Sequence, residues 1–300
     1  MQQLLGYLRL MRPANVITAV SDILAGIAIA GYFTNVGIYS FSLTPVLLLV
    51  VSTIGLYGGG VVFNDVFDAE LDKVERPERP IPSGLIPKKA AAWFAFLLLL
   101  MGVVAAALVH KSILSISTGL AIAIAIASVV YDKWGKHHSF LGPINMGLCR
   151  GLNLLLGMSI LPQGLEQYWF LGFVPIVYIA AITMISRGEV HGGRKNTLYG
   201  AVFLYVVVLL ALLKLSYNKG NLLLALLFII AFAVMIFRPL LKAIKNPIGP
   251  RIGKAVKWGV LALILMNAAW AAAFGAFYVS LVIILLLPLS LLLAKLFAVT

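Results

Sequence analysis

Four residues at the end of an apolar stretch have the types and spacing to hold a cation: Asn64, Asp65, Asp68 and Asp72. On a helix of about 3.6 residues per turn, Asp65, Asp68 and Asp72 stand at i, i+3 and i+7 and share one face. Glu70 points away from it. Three carboxylates on one face repel unless something positive lies among them. An oxygen-only set of this kind suits Mg²⁺, which takes one or two carboxylates and completes its shell with water and phosphate oxygens. A solvated acidic helix end is the plainer alternative. It fits poorly in a chain with ten acidic residues, six of which lie between Asp65 and Glu78. Directly downstream, Glu75-Arg76-Pro77-Glu78-Arg79-Pro80-Ile81-Pro82-Ser83-Gly84 reads as a loop pinned by prolines, with two arginines spaced by three. Arginine recognises phosphate with a rigid fork of donors. Carboxylates, Mg²⁺ and arginines beside an apolar segment point to a diphosphate whose remainder is lipid.

The elements that must position these residues are membrane spans. Hydrophobic residues make up 62% of the 300 and charged residues 11%, against roughly 45–50% and about 25% in soluble proteins. So few charges cannot clothe a water-facing surface. A spanning helix needs roughly 20 mainly apolar residues. Candidates lie at 14–33, 43–63, 90–109, 113–131, 141–161, 168–186, 198–216, 221–237, 256–275 and 278–297, the last two separated only by a short kink region. The expected fold is all-α, a polytopic bundle of nine to ten transmembrane helices forming one domain over 1–300. The single cysteine, Cys149, excludes an internal disulfide and a cysteine-based zinc site.

The net charge of +13 is explained by topology. With the N-terminus in the cytoplasm, the inside segments hold nineteen Lys and Arg residues and the outside loops only Lys111, Lys214 and Lys219. That asymmetry obeys the positive-inside rule. It places a multi-pass protein in the cell membrane with the N-terminus and the acidic loop cytoplasmic, and nucleic acid is not an expected partner.

Charged groups inside spans pair or line a cavity. Asp22 lies in the first span, with Asn15 and Thr18 on the same face; Arg150 lies mid-way along the fifth, with Asn153 at i+3. Two readings stand at this point: an Asp22–Arg150 bridge that ties two helices, or a cavity wall that contacts the polar head of an acceptor. Asn145 and Asn267 fit a role between helices. His191 reads either as a proton acceptor or as a plain loop residue.

Asn64-Asp65-x-x-Asp68-x-x-x-Asp72, followed by Arg76-Pro77-x-Arg79-Pro80-Ile81, resembles the first aspartate-rich motif of the UbiA superfamily of intramembrane prenyltransferases. Arg12-Pro13-Ala14-Asn15 at the first span, Tyr131-Asp132-Lys133 at the end of the fourth and a glycine-rich fifth span agree with it. The resemblance covers essentially the whole chain. It implies a bundle of about nine helices around a central cavity, capped by cytoplasmic loops. It also implies transfer of a prenyl group from an isoprenoid diphosphate to an aromatic or otherwise lipophilic acceptor, with membrane lipid as surroundings. Asn64, Asp65, Asp68 and Asp72 would hold Mg²⁺ and Arg76, Arg79, Lys133, Arg187 and Arg194 the diphosphate. Asn15, Asp22, Tyr131, Arg150 and Asn153 would face the acceptor or cavity.

The second aspartate-rich motif of that superfamily departs from its pattern here. Its three carboxylate positions fall on Ser186, Glu189 and Gly193, so only Glu189 is acidic, and Arg187, Arg194 and Lys195 stand among them. A prenyl diphosphate carries roughly three negative charges, which two Mg²⁺ would over-neutralise unless carboxylates compensate. With Asp65, Asp68, Asp72 and Glu189 as the available acids, the expectation is one well-held Mg²⁺, with protein cations in place of a second. The fragment Glu189-Val190-His191-Gly192-Gly193 also resembles the divergent EboC-like branch of the superfamily. A carrier or scaffold that binds the prenyl lipid without chemistry is the rival reading. An ion-coupled transporter fits less well, because only Asp22 is an acid deep within a span.

Overall fold

The computed structural model describes residues 2–34, 41–138, 141–189 and 192–297, and every regular element among them is a helix. In chain order the helices are α1 (Gln2–Met11), α2 (Pro13–Ile29), α3 (Leu43–Phe67), α4 (Ala69–Glu75), α5 (Lys88–Val109), α6 (Ile116–Lys133) and α7 (Leu141–Met158). They continue as α8 (Pro162–Tyr168), α9 (Phe173–Ser186), α10 (Lys195–Asn218), α11 (Leu222–Lys245), α12 (Gly249–Ala273) and α13 (Phe277–Leu296). His191 lies outside the described residues.

Each of the ten expected segments forms a helix. Among the described residues, eight spans are long and apolar enough to cross a membrane, α8 and α9 counting as one, and nine if the bent pair α1–α2 is one. α7 falls outside that group because Asn145, Arg150 and Asn153 interrupt its apolar run. The last segment is a helix of its own, beyond the short kink that separates it from α12. The chain turns at Gly275, whose φ is +81°, and α13 packs back on α12 and α2. Ser290 near the end of α13 donates to Ala14 O at the start of α2, so the two helices run antiparallel.

α12 is the central helix. From Leu261 to Ala273 every residue is buried, as expected of a helix that is apolar all round. Its alanines let neighbours approach closely, the usual device for helix contact in lipid. The same logic joins α2 to α7. A Cβ on Gly26 would sit 2.3 Å from Leu154 O, and one on Gly157 would sit 2.4 Å from Ile23 O. Between α9, α10 and α11 the space is filled by Tyr178, Tyr205 and Phe232, all fully buried. Between α2, α3, α6 and α7 it is not filled, and a cavity remains.

A second, smaller apolar core lies at the end of the bundle that carries the first motif. Leu10 of α1, Val62 and Val66 of α3, Ala91 and Ala95 of α5, and Ile81 and Ile86 of the intervening loop pack together. The loop is closed by Ile86 N donating to Pro80 O and by Gly84 at φ +78°. Its apolar residues are thus anchored, which fixes the base from which Arg76 and Arg79 project.

Candidate active site

The mouth of the cavity is built from two breaks in helical structure. α1 and α2 meet at 45°. Pro13 opens α2, where its missing N–H costs nothing, and Arg12 before it adopts the left-handed region at φ 49°. That conformation costs a non-glycine residue roughly 1–3 kcal/mol. It places the guanidinium on the first motif, with Arg12 Nη2 2.6 Å from Asp65 Oδ1. α3 ends at Phe67 and α4 begins at Ala69, leaving Asp68 at the junction.

The single face expected for Asp65, Asp68 and Asp72 is therefore kept only in part. Asp65 and Asp72 converge on Arg79, whose Nη1 lies 3.3 Å from Asp65 Oδ1 and 2.7 Å from Asp72 Oδ2. Asp68 turns instead to Lys136. Mutual repulsion among the carboxylates is offset by three cations, Arg12, Arg79 and Lys136, each from a different connecting segment. Glu70 does point away; it is exposed, and its hydrogen bond with Lys73 holds its carboxyl below the usual range. Among the described residues, no three His, Cys, Asp or Glu side chains come close enough to share one metal ion. Asn64 turns its amide to the neighbouring helix, donating to Asp132 Oδ1 at 2.9 Å.

The other expected diphosphate ligands are spread out. Arg76 is exposed and lies near Glu189, linking the first-motif loop to the second electrostatically. Desolvation pushes the Glu189 carboxyl above the usual carboxylate range, and Arg76 pulls it back in part. Lys133 is exposed and stacks on Trp134 at 4.4 Å. Arg187 and Arg194 line a separate cavity of about 240 Å³ under the second loop. The second loop is tightest at Gly188, and at Gly193 a side chain would meet only the tip of Ile252. A Cβ there would meet Ile252 Cδ1 at 2.8 Å, and one on Gly188 would meet Gly193 Cα at 2.6 Å.

Inward from the mouth runs a cavity of about 240 Å³ between α2, α3, α6 and α7. Arg12, Asn15, Asn64, Tyr131 and Asp132 line one end, and Tyr57, Cys149, Arg150 and Asn153 lie deeper. Asn15, Tyr131, Arg150 and Asn153 thus face the cavity as expected. Asp22 does not. It stands behind Arg150 as the centre of a closed network: Oδ2 accepts from Arg150 Nη1 at 2.8 Å and Asn153 Nδ2 at 3.3 Å, and Oδ1 accepts from Asn267 Nδ2 at 2.7 Å. Arg150 also donates to Thr18 Oγ1 and lies 5.1 Å from the Tyr57 ring. The bridge reading holds, since the pair ties α2 to α7; of the cavity-wall reading only Arg150 is on the wall. Asn267 acts between helices as expected.

Three residues went unrecognised as site residues in the sequence. Arg12 stood in a recognised tetrad, but its partner was invisible. Lys136 looked like one more basic loop residue. Asp132 carried a usable signal, as one of ten acids and one of the few lying within a long apolar helix.

Charged groups facing one another above a cavity within a membrane bundle suit a molecule that is anionic at one end and hydrocarbon at the other, and this is the organisation of an intramembrane prenyltransferase. The profile of the UbiA prenyltransferase family matches residues 23–247, and the chain belongs to that family. It is similar to the digeranylgeranylglyceryl phosphate synthase of Methanosphaera stadtmanae, at 23% identity over 88% of this chain and 97% of the relative. The fold is similar to the apo structure of a UbiA homolog from Aeropyrum pernix K1, with TM-score 0.69, 15% identity and coverage of 85% and 96% of the two chains. It is also similar to a UbiA homolog from Archaeoglobus fulgidus bound to GPP and Mg²⁺, with TM-score 0.55, 15% identity and coverage of 91% and 99%. None of these three carries the name of the EboC-like branch that Glu189–Gly193 resembles.

Proposed function

We propose that this chain, acting as one unit over 1–300, transfers a prenyl group from an isoprenoid diphosphate to a lipophilic acceptor held in the cavity. The observation that carries this reading is the bridge at the mouth, where one cationic nitrogen of Arg79 lies between Asp65 and Asp72. Two carboxylates gathered around one positive group are a fitting donor set for Mg²⁺, which needs no more than two. Asp65 and Asp72 would hold it, with Asn64, Asp68 and Glu189 as further oxygen donors. When bound, Mg²⁺ neutralises the diphosphate and makes it a better leaving group. The protein cations do the rest. Arg12 and Arg79 exchange their carboxylates for diphosphate oxygens, and Arg76, Lys133, Arg187 and Arg194 add positive charge around the mouth. These cations stand in for a second metal.

The allylic C–O bond then ionises, the electron pair leaving with the diphosphate. The carbocation lies in a cavity that the bundle keeps from bulk water, so the acceptor captures it in place of water and gives up its proton to the departing diphosphate or to water at the mouth. The relative's name, digeranylgeranylglyceryl phosphate synthase, describes a product formed by adding a geranylgeranyl group to geranylgeranylglyceryl phosphate. That alcohol and geranylgeranyl diphosphate are the first substrates to try. The mouth faces the cytoplasm on the charge asymmetry, so tags before residue 5 and after residue 195 report inside and a tag at Asn218 reports outside.

The test is incubation of purified protein with Mg²⁺, an acceptor and geranyl, farnesyl or geranylgeranyl diphosphate, followed by mass spectrometry. Mg²⁺-dependent diphosphate release with a prenylated product is expected. Tight binding of the diphosphate with no release under any acceptor would make the protein a carrier.

A further inference from the structure

A second polar cavity lies at the end of the bundle opposite the mouth. From Arg12 at the mouth, α2 runs 17 residues to Ile29, about 25 Å at a rise of about 1.5 Å per residue. Around its far end stand α8, the turn between α10 and α11, and the end of α12, and together they border a space of about 440 Å³. Gln163, Gln167, Tyr168, Lys219 and Asn221 face it. None of them lines the cavity between α2, α3, α6 and α7.

Packing fixes each wall. Gly164 lets α8 lie directly on the end of α2, since a Cβ there would sit 2.6 Å from Ala30 Cα. Gln163 and Gln167 stand one turn apart on α8, so their amides share a side. Asn221 pins the α10–α11 turn to α12 by donating to Ala273 O at 3.0 Å. That turn carries Lys219. Its Nζ donates to Tyr168 OH and lies 4.5 Å from the centre of the Tyr168 ring and 5.0 Å from that of Phe274. A lysine has much rotamer freedom to lose on binding. Here a hydroxyl and two rings hold the ammonium at the cavity in advance, which favours capture of an anion.

Lys219 is the one charged residue on the cavity wall. Glu166, the one acid in the segments at that end, is exposed and does not line the cavity. Among the described residues, neither glutamine side chain has a hydrogen-bond partner in the protein, so both amides can donate to a ligand. One fixed cation beside neutral donors suits a monoanion with several acceptor oxygens. Depth indicates its source. Trp169 and Phe170, directly after Tyr168, are exposed, as are Tyr217 near the end of α10 and Tyr278 at the start of α13. Trp and Tyr gather at the level of lipid head groups.

We propose that this cavity binds the phosphate of a phospholipid in the leaflet opposite the mouth, with Lys219 as its counter-charge and Gln163 and Gln167 donating to its oxygens. The bound lipid bridges α2, α8 and the α10–α11 turn, and stabilises the fold because it binds only the folded protein. No residue of the prenyl diphosphate site takes part, so the two sites stand or fall separately.

The experiment titrates the full chain, purified in detergent, with dioleoylphosphatidylglycerol, with dioleoylglycerol, which has the same chains and no phosphate, and with inorganic phosphate. Native mass spectrometry reads affinity, and the melting temperature reads stabilisation. Wild type should bind the phospholipid at least about tenfold more tightly than dioleoylglycerol, the scale of one charge-assisted hydrogen bond, and melt higher in its presence. Lys219→Met keeps the length and a sulfur contact to the rings but removes the charge. It should lose about tenfold in phospholipid affinity and most of the lipid-dependent rise in melting temperature, while melting without lipid changes little. Lys219→Arg should keep the affinity, and Gln163→Ala should lose a few-fold. Lys214→Ala removes an exposed lysine at the same end but outside the cavity, and it should be silent. Equal losses in Lys214→Ala and Lys219→Met would reduce the effect to general surface charge and overturn the inference. Equal affinity for the two lipids also overturns it. So does a Lys219→Met protein that melts lower without lipid by as much as with it, since Lys219 would then be a structural clamp. Inorganic phosphate binding as tightly as the phospholipid would overturn the lipid assignment in favour of a free anion.

Discussion

Two aspartate–arginine pairs lie within the same bundle, and they are built for opposite purposes. Asp22 and Arg150 sit inside the membrane with side chains 2% and 7% exposed, both borne on long helices. Arg12 and Asp65 sit at the mouth, where the arginine side chain is 22% exposed and springs from a left-handed break between helices. The first aspartate has its oxygens shared among Arg150, Asn153 and Asn267, with no partner left to find. The second has two arginines, both from connecting segments, which on the reading proposed above release it to the substrate. The same residue types thus make a fixed strut in one place and an exchangeable charge in the other. Burial and the element that carries the arginine decide which.

Matched substitutions break or sharpen that contrast. Asp22→Asn leaves the Arg150 charge uncompensated in the interior, and removing one partner of a buried pair costs about 3–5 kcal/mol. A large fall in melting temperature in detergent is expected. Asp65→Asn should cost far less, since Arg12 can turn to water and Arg79 retains Asp72. Equal losses for the two variants would erase the distinction between strut and exchangeable pair.

A second, smaller effect concerns the second loop. Arg187→Ala should weaken prenyl diphosphate binding several-fold at every Mg²⁺ concentration, because it removes a fixed positive charge. Ser186→Asp adds a negative charge near Glu189 and should weaken binding at low Mg²⁺ while steepening the Mg²⁺ dependence. Affinity curves against Mg²⁺ check both. If Ser186→Asp binds more tightly even at low Mg²⁺ and Arg187→Ala is silent, protein cations do not replace a second metal.

The smallest effect is a titration. Desolvation raises the Glu189 pKa and Arg76 opposes it. Arg76→Ala should move that titration further up, because the neighbouring positive charge that favours the carboxylate is gone. In the folded state the protonated form is favoured, so any stability this group contributes is present at low pH and lost as pH rises through its folded pKa. Carbon-13 NMR of labelled glutamate side chains reads the shift; a downward move would mean that Arg76 does not act on Glu189.

Much of the fold was legible because lipid demands long apolar runs, and ten such runs became ten helices. The Asp22–Arg150 pair was legible for a related reason, since two charges in a membrane have few partners to choose from. The aspartate spacing marked the mouth, but not which cation each carboxylate takes. Those cations come from segments up to 68 residues away, as with Lys136 and Asp68, and sequence spacing carries no such information. The break at Asp68 was hidden because its neighbours continue the i→i−4 bonds: Asp68 N to Asn64 O and Asp72 N to Asp68 O. The glycines of the second loop read as lost chemistry. In the structure the packing demand falls on Gly188, where a side chain would collide with the Gly193 backbone.

The central claim is that the carboxylates at the mouth are an exchangeable site for Mg²⁺ and a prenyl diphosphate, while those in the interior are scaffold. The most direct measurement is geranylgeranyl diphosphate affinity with and without Mg²⁺ for wild type and Asp65→Asn, alongside the melting temperature of each. The account predicts Mg²⁺-dependent binding in wild type, a loss of at least about tenfold in Asp65→Asn, and a folded variant. Diphosphate affinity that is the same in both proteins, or that ignores Mg²⁺, would contradict it.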